Sequence, residues 1–176
     1  MKNSIKLLLF ILITTLSLNA QSDNNSIGFG FNAGQTQNDF GIGIDIISPY
    51  MANSTIAIKI GANLKWLQHE TGSHTTWSPY QNVQIGIRSR NFIVDNKIFI
   101  YGEGGGILLL PNTTFSSEDY ILGGYALFGF EFRTTSKIGF FVELGGVGTG
   151  ARADKVVHKP IYSNGFLTNV GFRLTP

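Results

Sequence analysis

The stretch Ile56–Trp66, IAIKIGANLKW, alternates apolar and polar residues over eleven consecutive positions. Ile58 and Ile60 fall on one face of this stretch, whereas Lys59 and Lys65 fall on the opposite face. Alternation with a period of two is typical of a β-strand whose two faces meet different surroundings. The stretch therefore predicts a long strand with one apolar face and one polar face.

Seven further stretches repeat this alternation in the rest of the chain. The eight candidate strands lie near residues 26–35, 39–46, 56–66, 82–88, 98–108, 122–133, 138–145 and 166–174. They have roughly 8–12 residues, and a tilted strand needs about 9–11 residues to cross a bilayer. Together they predict an all-β fold, a closed antiparallel up-and-down transmembrane barrel of eight strands.

The composition of the 176-residue chain indicates a single domain that faces something other than water. Charged residues make up 14% of the chain, whereas soluble domains contain about 25%. The absence of cysteine excludes disulfide frameworks, zinc ribbons and thiol nucleophiles. Lys2 and Lys6 lie in the segment that is interpreted below as a signal peptide. Without them, 11 of the 13 bases remain and balance the 11 acids, so we expect no nucleic-acid partner.

The beginning of the chain has the pattern of a signal peptide. A positively charged start precedes an apolar run of about 14 residues, which ends at Leu18-Asn19-Ala20. This run is shorter than the ~20 residues that a spanning helix needs. We therefore predict a signal peptide over residues 1–20, cleaved near Ala20, and a barrel domain over residues 21–176. An N-terminal anchor helix is the alternative.

The direction of the apolar face separates two kinds of eight-stranded barrel. A soluble lipocalin-like barrel encloses its apolar residues, whereas a membrane barrel turns them outward. Here the apolar face carries roughly thirty large side chains, more than the narrow interior of eight strands can hold. We therefore predict that the apolar face meets lipid. A soluble periplasmic ligand-binding barrel is the alternative.

The polar face carries acids and bases that must pair if they lie inside a narrow barrel. The acids are Asp45, Glu103, Glu131 and Glu143, and the bases are Lys59, Lys65, Arg88, Arg133 and Arg173. Two of the acids share a local pattern, because Glu103 and Glu143 each follow an aromatic residue by two positions. We expect a plug of salt bridges and hydrogen bonds that blocks conduction; an ion path or a proton-linked site is the alternative.

The connections between the predicted strands alternate in length. Short ones lie around residues 48–54, 95–96 and 134–137, and the opposite set spans residues 68–79, 110–120 and 149–164, with a short one near 36–38. Outer-membrane barrels have short periplasmic turns and longer extracellular loops. We therefore expect both termini on the periplasmic side, and the three long loops are candidates for contact with an extracellular ligand.

Large aromatic residues cluster near the ends of the predicted strands. They are Tyr50, Trp66, Trp77, Tyr80, Tyr120 and Tyr162. Such residues form girdles at the two membrane–water interfaces of barrel proteins. We expect a girdle here, with ordinary packing in turns as the alternative for each residue.

The histidines and the longest glycine run do not match a chemical site. His69 and His74 lie in the predicted loop 68–79 without the fixed geometry of a metal ligand set, so a solvated loop is expected. The flexible stretch Gly102–Gly106 lacks the Lys-Ser/Thr pair of a phosphate-binding P-loop. We therefore predict no cofactor-binding and no metal-binding residues.

Three stretches carry a resemblance to a known family: Gly28-Phe29-Gly30-Phe31, Val142-Glu143-Leu144-Gly145-Gly146 and the alternating last strand Asn169–Leu174. From about residue 26 onward, the chain resembles the small eight-stranded outer-membrane barrels that include OmpX-like and OmpA-transmembrane-like proteins. The resemblance implies a porin-like protein of the Gram-negative envelope with a structural, surface-interaction or adhesion role. It also implies outer-membrane lipids, lipopolysaccharide and the barrel-assembly machinery as partners.

Some outer-membrane barrels are enzymes that modify lipids. Lipid A deacylases of this kind keep a histidine and a serine two residues apart ahead of an asparagine. Here His158 and Ser163 are five residues apart, with Pro160 between them. We therefore predict no catalytic residues and no enzyme; a lipid-modifying enzyme in the same fold and a narrow pore are the alternatives.

Overall fold

The computed structural model describes residues 26–37, 39–71, 74–94 and 97–176. It contains the strands β1 (Gly28–Thr36), β2 (Asp39–Ile47), β3 (Ile56–Thr71), β4 (His74–Val94), β5 (Ile98–Leu110), β6 (Ile121–Arg133), β7 (Ile138–Gly148) and β8 (Gly165–Leu174). Each strand pairs antiparallel with its neighbour in the chain, and β8 pairs with β1. This closed barrel confirms the predicted fold class. The predicted signal peptide lies outside the described residues.

The alternation in the sequence separates the two faces of the barrel wall. In β2, Ile44 is 63% exposed on the outside, whereas Asp45 is only 3% exposed and points inward. At the seam between β1 and β8, Phe31 lies opposite Phe172 on the outside, with the ring centres 5.6 Å apart. The predicted arrangement, with apolar residues outside and polar residues inside, is confirmed. Because every strand pairs on both sides, the barrel wall has no free edge along the paired residues.

The two ends of the barrel differ in their connections. At one end of the barrel β1 begins and β8 ends; this end also carries the connections 48–55 and 134–137, and we call it the terminal end. The opposite end, which we call the loop end, carries the connections 111–120 and 149–164. Two of the three predicted long loops are therefore present at the loop end. Among the described residues, no helix is long and apolar enough to cross a membrane.

The prediction of a loop over residues 68–79 was wrong, because β3 and β4 continue through it as a hairpin. The ladder of these two strands continues from the pair Gln68–Trp77 to the pair Thr71–His74. Threonine and tryptophan favour extended structure, and this segment is rich in them. The third long connection is therefore a hairpin that continues past the neighbouring strands.

Several side chains near the loop end point into the barrel, contrary to prediction. Tyr80 and Tyr162 are buried, whereas Trp77 and Tyr120 are exposed as expected for girdle residues. His69, predicted to be solvated, is also buried, and its Nε2 lies 2.8 Å from the hydroxyl of Ser78. The regular alternation of β3 and β4 continues beyond the predicted strand ends and places His69 and Tyr80 on the inward face, whereas Tyr162 lies in the loop between β7 and β8.

The glycine run in β5 is a regular strand rather than the flexible stretch expected from the sequence. Gly105 lies against the backbone of β4, and a Cβ atom there would collide with the carbonyl oxygen of Ile85. Glycine at this position therefore allows the backbones of β4 and β5 to approach closely.

Candidate functional site: the closed barrel interior

A network of charged side chains fills the interior, and we call it the ionic core. Its members are Asp45, Lys59, Arg88, Glu103, Glu131, Glu143 and Arg173. The strands β2 to β8 each contribute one of these residues. All seven belong to the predicted polar face, and the expectation that they pair inside the barrel is confirmed. Arg133, also predicted, joins them through Glu131.

Glu103 lies at the centre of the ionic core. Its Oε1 accepts hydrogen bonds from Lys59 Nζ at 2.8 Å and from the Tyr125 hydroxyl at 2.9 Å. Its Oε2 accepts two hydrogen bonds from Arg88, from Nε at 2.8 Å and from Nη2 at 2.6 Å. Four donors thus satisfy both oxygens, which is the condition for keeping a buried carboxylate charged.

Glu143 binds the same arginine from the opposite wall. Arg88 Nη2 and the Tyr101 hydroxyl donate to Glu143 Oε1 at 2.9 and 2.8 Å, and Asn169 Nδ2 donates to Oε2 at 3.0 Å. The Arg88 guanidinium also lies 3.9 Å from the centre of the Tyr101 ring. The two glutamates that share a local sequence pattern therefore converge on one arginine, which links β4, β5 and β7 across the barrel.

A second group of charges extends the ionic core through Arg173. This side chain donates from Nη1 to Glu131 Oε2, and Arg133 Nε donates to Glu131 Oε1 at 3.3 Å. On its other side, Arg173 Nη2 lies 3.9 Å from Asp45 Oδ1, which is too far for a hydrogen bond. Within the described residues, neither oxygen of Asp45 has a hydrogen-bond partner. Asp45 is therefore the least satisfied acid of the ionic core.

Arg90 is buried at the terminal end of the interior. Its guanidinium lies 3.5 Å from the ring centre of Tyr50 and 5.2 Å from that of Phe99. Its Nε donates to the Ser54 carbonyl oxygen at 3.2 Å, which attaches the 48–55 connection to the barrel. Sequence reasoning missed Arg90 because the predicted strand stopped at residue 88, although the same alternation continues for one more inward position.

Three buried aromatic side chains close the loop end, and we call them the aromatic cap. Tyr80 belongs to β4, whereas Phe115 and Tyr162 belong to the loops 111–120 and 149–164. The ring centres are 5.1 Å apart for Phe115 and Tyr162, 5.2 Å for Tyr80 and Tyr162, and 6.2 Å for Tyr80 and Phe115. All three contacts are edge-to-face, a favourable geometry for aromatic rings. Both loops therefore fold inward over the barrel mouth.

Asp39 attaches the aromatic cap to the barrel wall. Its Oδ2 accepts a hydrogen bond from the Tyr80 hydroxyl at 2.8 Å and another from the Ser163 backbone N–H. Lys65, predicted on the polar face, lies on the neighbouring strand and donates from Nζ to the Thr36 hydroxyl at 2.5 Å. The sequence gives Asp39 no signal of this role, because Ser163 is 124 residues away in the chain.

The two long loops are also joined to each other. The Ser117 backbone N–H and hydroxyl donate to the two carboxylate oxygens of Asp154 at 2.8 and 2.5 Å. The Lys155 N–H donates to the Phe115 carbonyl oxygen at 3.1 Å, and Lys155 Nζ donates to that of Thr113 at 3.0 Å. The hydrogen bonds from the Ser117 hydroxyl and N–H hold the pKa of the exposed Asp154 below its ordinary value. The loops therefore form one connected lid.

The interior retains a small polar cavity beside β1 to β4 and β8. Asp45, Lys59, Asn63, Gln84 and Asn169 are among the residues that line it. The volume open to the centre of a water molecule is about 10 Å³, enough for about one water. Among the described residues, no group of three or more histidine, aspartate or glutamate side chains could hold a metal ion. The geometry is that of a filled interior with local room for hydration.

Comparisons with known proteins establish the fold. No family model and no curated protein matches the chain. The N-terminal β-barrel domain of OprF from Pseudomonas aeruginosa is 8% identical, with a TM-score of 0.60, and the match covers 86% of this chain and 97% of that one. Ail, the attachment invasion locus protein of Yersinia pestis, is 12% identical over 85% of this chain and 93% of its own, with a TM-score of 0.40. The chain therefore has the closed eight-stranded barrel fold of the OprF domain.

Proposed function

We propose that this protein is an integral outer-membrane barrel without enzymatic activity, with a structural role and a surface that contacts extracellular partners. The observation that carries the proposal is the combination of an apolar exterior with a buried, ion-paired interior. A soluble barrel has the opposite arrangement, with an apolar interior and a polar surface.

The exterior supports placement in lipid. Isoleucine and phenylalanine side chains of β1 to β4 and β6 to β8 are exposed around the barrel, among them Phe29, Phe40, Ile44, Ile85 and Phe140. An exposed apolar band of this kind is unfavourable in water and stable in a bilayer. Closure pairs the backbone groups of the wall, as the hydrocarbon interior requires.

The interior supports a barrel that does not conduct. Arg88 and its two glutamate partners cross the barrel, Arg90 stacks on Tyr50 at the terminal end, and the aromatic cap covers the loop end. Removal of one partner from such a buried ion pair is strongly unfavourable, so the pairs resist opening.

The joined loops support the surface role. Residues 111–120 and 149–164 are fixed to each other through Ser117 and Asp154 and to the wall through Asp39. Such a lid presents an ordered surface next to the 68–79 hairpin. We propose that the loop end faces outside, that both termini face the periplasm, and that lipopolysaccharide and the barrel-assembly machinery are partners.

Expression of the full chain in a Gram-negative host tests location and closure. We expect the protein in the outer-membrane fraction, with a mature N-terminus near residue 21 and faster gel migration before boiling than after boiling. Added protease should cleave the loop end in intact cells and spare the 134–137 turn. Recovery in the aqueous phase after carbonate extraction would contradict the proposal.

A narrow pore is the second candidate, and one observation favours it. Asp45 lies beside the small polar cavity without a hydrogen-bonded partner among the described residues. Planar-bilayer recordings of the folded protein separate the two candidates. We expect no stable conductance. Channels with a conductance of nanosiemens size would favour the pore over the non-conducting barrel as the function of this protein.

Enzymatic activity is tested separately by incubating the folded protein with lipid A. We expect no release of fatty acid and no transfer of an acyl chain. Either product would contradict the non-enzymatic part of the proposal while leaving the barrel and its location intact.

A further inference from the structure

The two joined loops leave a cleft between them at the loop end, and we call it the loop cleft. It measures about 490 Å³, and sites for small ligands typically measure about 300–1,000 Å³. One wall comes from the 111–120 loop and the start of β6, and the other wall comes from the 149–164 loop. The cleft therefore lies at the junction of the two loops that form the lid.

Both walls of the loop cleft are fixed by hydrogen bonds. Asp154 in one wall accepts two hydrogen bonds from Ser117 in the other wall. Ala151, which also lines the cleft, is buried, and its carbonyl oxygen accepts a hydrogen bond from the Tyr162 N–H at 3.0 Å. The cleft is thus preformed, so a ligand can bind without the entropy cost of ordering the loops.

The lining of the loop cleft combines an exposed aromatic ring with charges of both signs. Tyr120 is 62% exposed. Glu118 and Arg152 are exposed as well, and among the described residues neither side chain has a salt-bridge partner. Asp154 differs from them, because both of its oxygens already accept hydrogen bonds from Ser117. One carboxylate and one guanidinium in the cleft are therefore available to a ligand.

We propose that the loop cleft binds a neutral saccharide on a surface outside the cell. A sugar ring would lie against Tyr120, with its hydroxyl groups donating to Glu118 and accepting from Arg152. The inference rests on the proposed function, because it names the class of extracellular partner that the joined loops contact.

The charges of the loop cleft select this class of ligand. An anion is attracted by Arg152 and repelled by Glu118 and Asp154, and a cation meets the reverse arrangement. A hydroxyl group can donate to a carboxylate and can also accept from a guanidinium, so a neutral ligand rich in hydroxyl groups uses both signs of charge. The C–H face of a sugar ring adds apolar contact with the tyrosine ring, whose hydroxyl can still form a hydrogen bond.

The test uses the full-length, folded protein in a mild detergent that has no sugar headgroup. The neutral probes are maltotriose, N-acetylchitotriose and lacto-N-tetraose. Two charged trimers serve as matched ligands: the cationic glucosamine trimer and the anionic trigalacturonic acid. Saturation-transfer NMR on each sugar detects weak binding and gives the dissociation constant by titration.

The variants Y120A and E118Q remove the aromatic ring and the available carboxylate. W77A and E70Q are their controls, because Trp77 and Glu70 are exposed in the 68–79 hairpin and do not line the cleft. Heat-modifiable gel migration shows that each variant has folded.

We expect saturation transfer to at least one neutral sugar, with an affinity about tenfold lower in Y120A and E118Q and little change in W77A and E70Q. Binding of either charged trimer should be weaker than that of the neutral sugar. No transfer to any neutral sugar, tighter binding of a charged trimer, or equal losses in Y120A and W77A would overturn the inference.

The result for intact cells separates this inference from the proposed function. If protease cleaves the loops from outside and no neutral sugar binds, the inference alone fails. If the loops are protected in intact cells, the proposed orientation fails, whatever the sugars do in detergent.

Discussion

The ionic core and the aromatic cap close the same barrel by different means. The ionic core is built from side chains of paired strands, and its members meet through directed, charge-assisted hydrogen bonds. The aromatic cap is built mainly from two loops, and its members meet through ring edges and faces. Because strands are fixed by the whole ladder and loops by their own contacts, the ionic core is coupled to global unfolding, whereas the cap can open locally.

The largest loss in the free energy of unfolding is expected for R88M in the ionic core. Removal of the guanidinium leaves Glu103 and Glu143 close together without their shared cation, and breaking a buried pair in this way costs about 3–5 kcal/mol. Urea unfolding of the barrel in phosphatidylcholine vesicles, followed by tryptophan fluorescence, measures this change.

K137M is the control for R88M, because Lys137 is an exposed cation in the 134–137 turn. We expect its free energy of unfolding to remain near that of the wild type. If R88M were no more destabilised than K137M, the ionic core would contribute no more than a surface charge.

The next effect is expected for Y162A in the aromatic cap. Loss of two edge-to-face contacts and of the buried ring should cost about 2–3 kcal/mol of cap closure. Hydrogen exchange should become faster in residues 111–120 and 149–164 while β5 to β7 keep their protection. Equal acceleration of exchange in those strands would show that the cap opens only together with the whole barrel, as the ionic core does.

A smaller effect is expected for D39A, which separates the cap from the wall. The Ser163 N–H and the Tyr80 hydroxyl lose their acceptor, at a cost of about 1–2 kcal/mol. Protease cleavage in the 149–164 loop should be faster in D39A, and D39N should lie between D39A and the wild type because its amide oxygen still accepts. A cleavage rate in D39A equal to that of the wild type would mean that the ring contacts and the hydrogen bonds between the loops hold the cap without Asp39.

The smallest change is expected in the rate of loop cleavage when the pH is lowered, because the hydrogen bonds between Ser117 and Asp154 depend on the charge of Asp154. Ser117 lowers the pKa of Asp154 below its ordinary value of 3.8, so the joined loops favour the carboxylate. The stabilisation is present above the ordinary pKa and is lost as the pH falls through the lower value of the joined state. Loop cleavage by an acid-active protease should therefore increase more below pH 3.8 in the wild type than in D154N. An identical increase in both proteins would assign the pH dependence to another group.

The strands and the ionic core were predictable because both follow from a period of two. One rule assigns Ile44 to the outside and Asp45 to the inside, and it holds around the barrel. The cap was not predictable, because Phe115 and Tyr162 lie in loops that have no such period. Tyr80 and Arg90 lie between these cases: the alternation continues through both, but the predicted strand was too short to include them.

The seam between β1 and β8 has a consequence for assembly. It pairs Phe29 with Leu174, so the first and last strands of the barrel are neighbours in space although they are far apart in the chain. Loop-closure entropy makes such distant pairing slow, and it cannot begin before the final strand has been synthesised. Until then the backbone groups of β1 and β8 at this seam have no partners, so the unclosed sheet presents two free edges that can pair with other copies and aggregate.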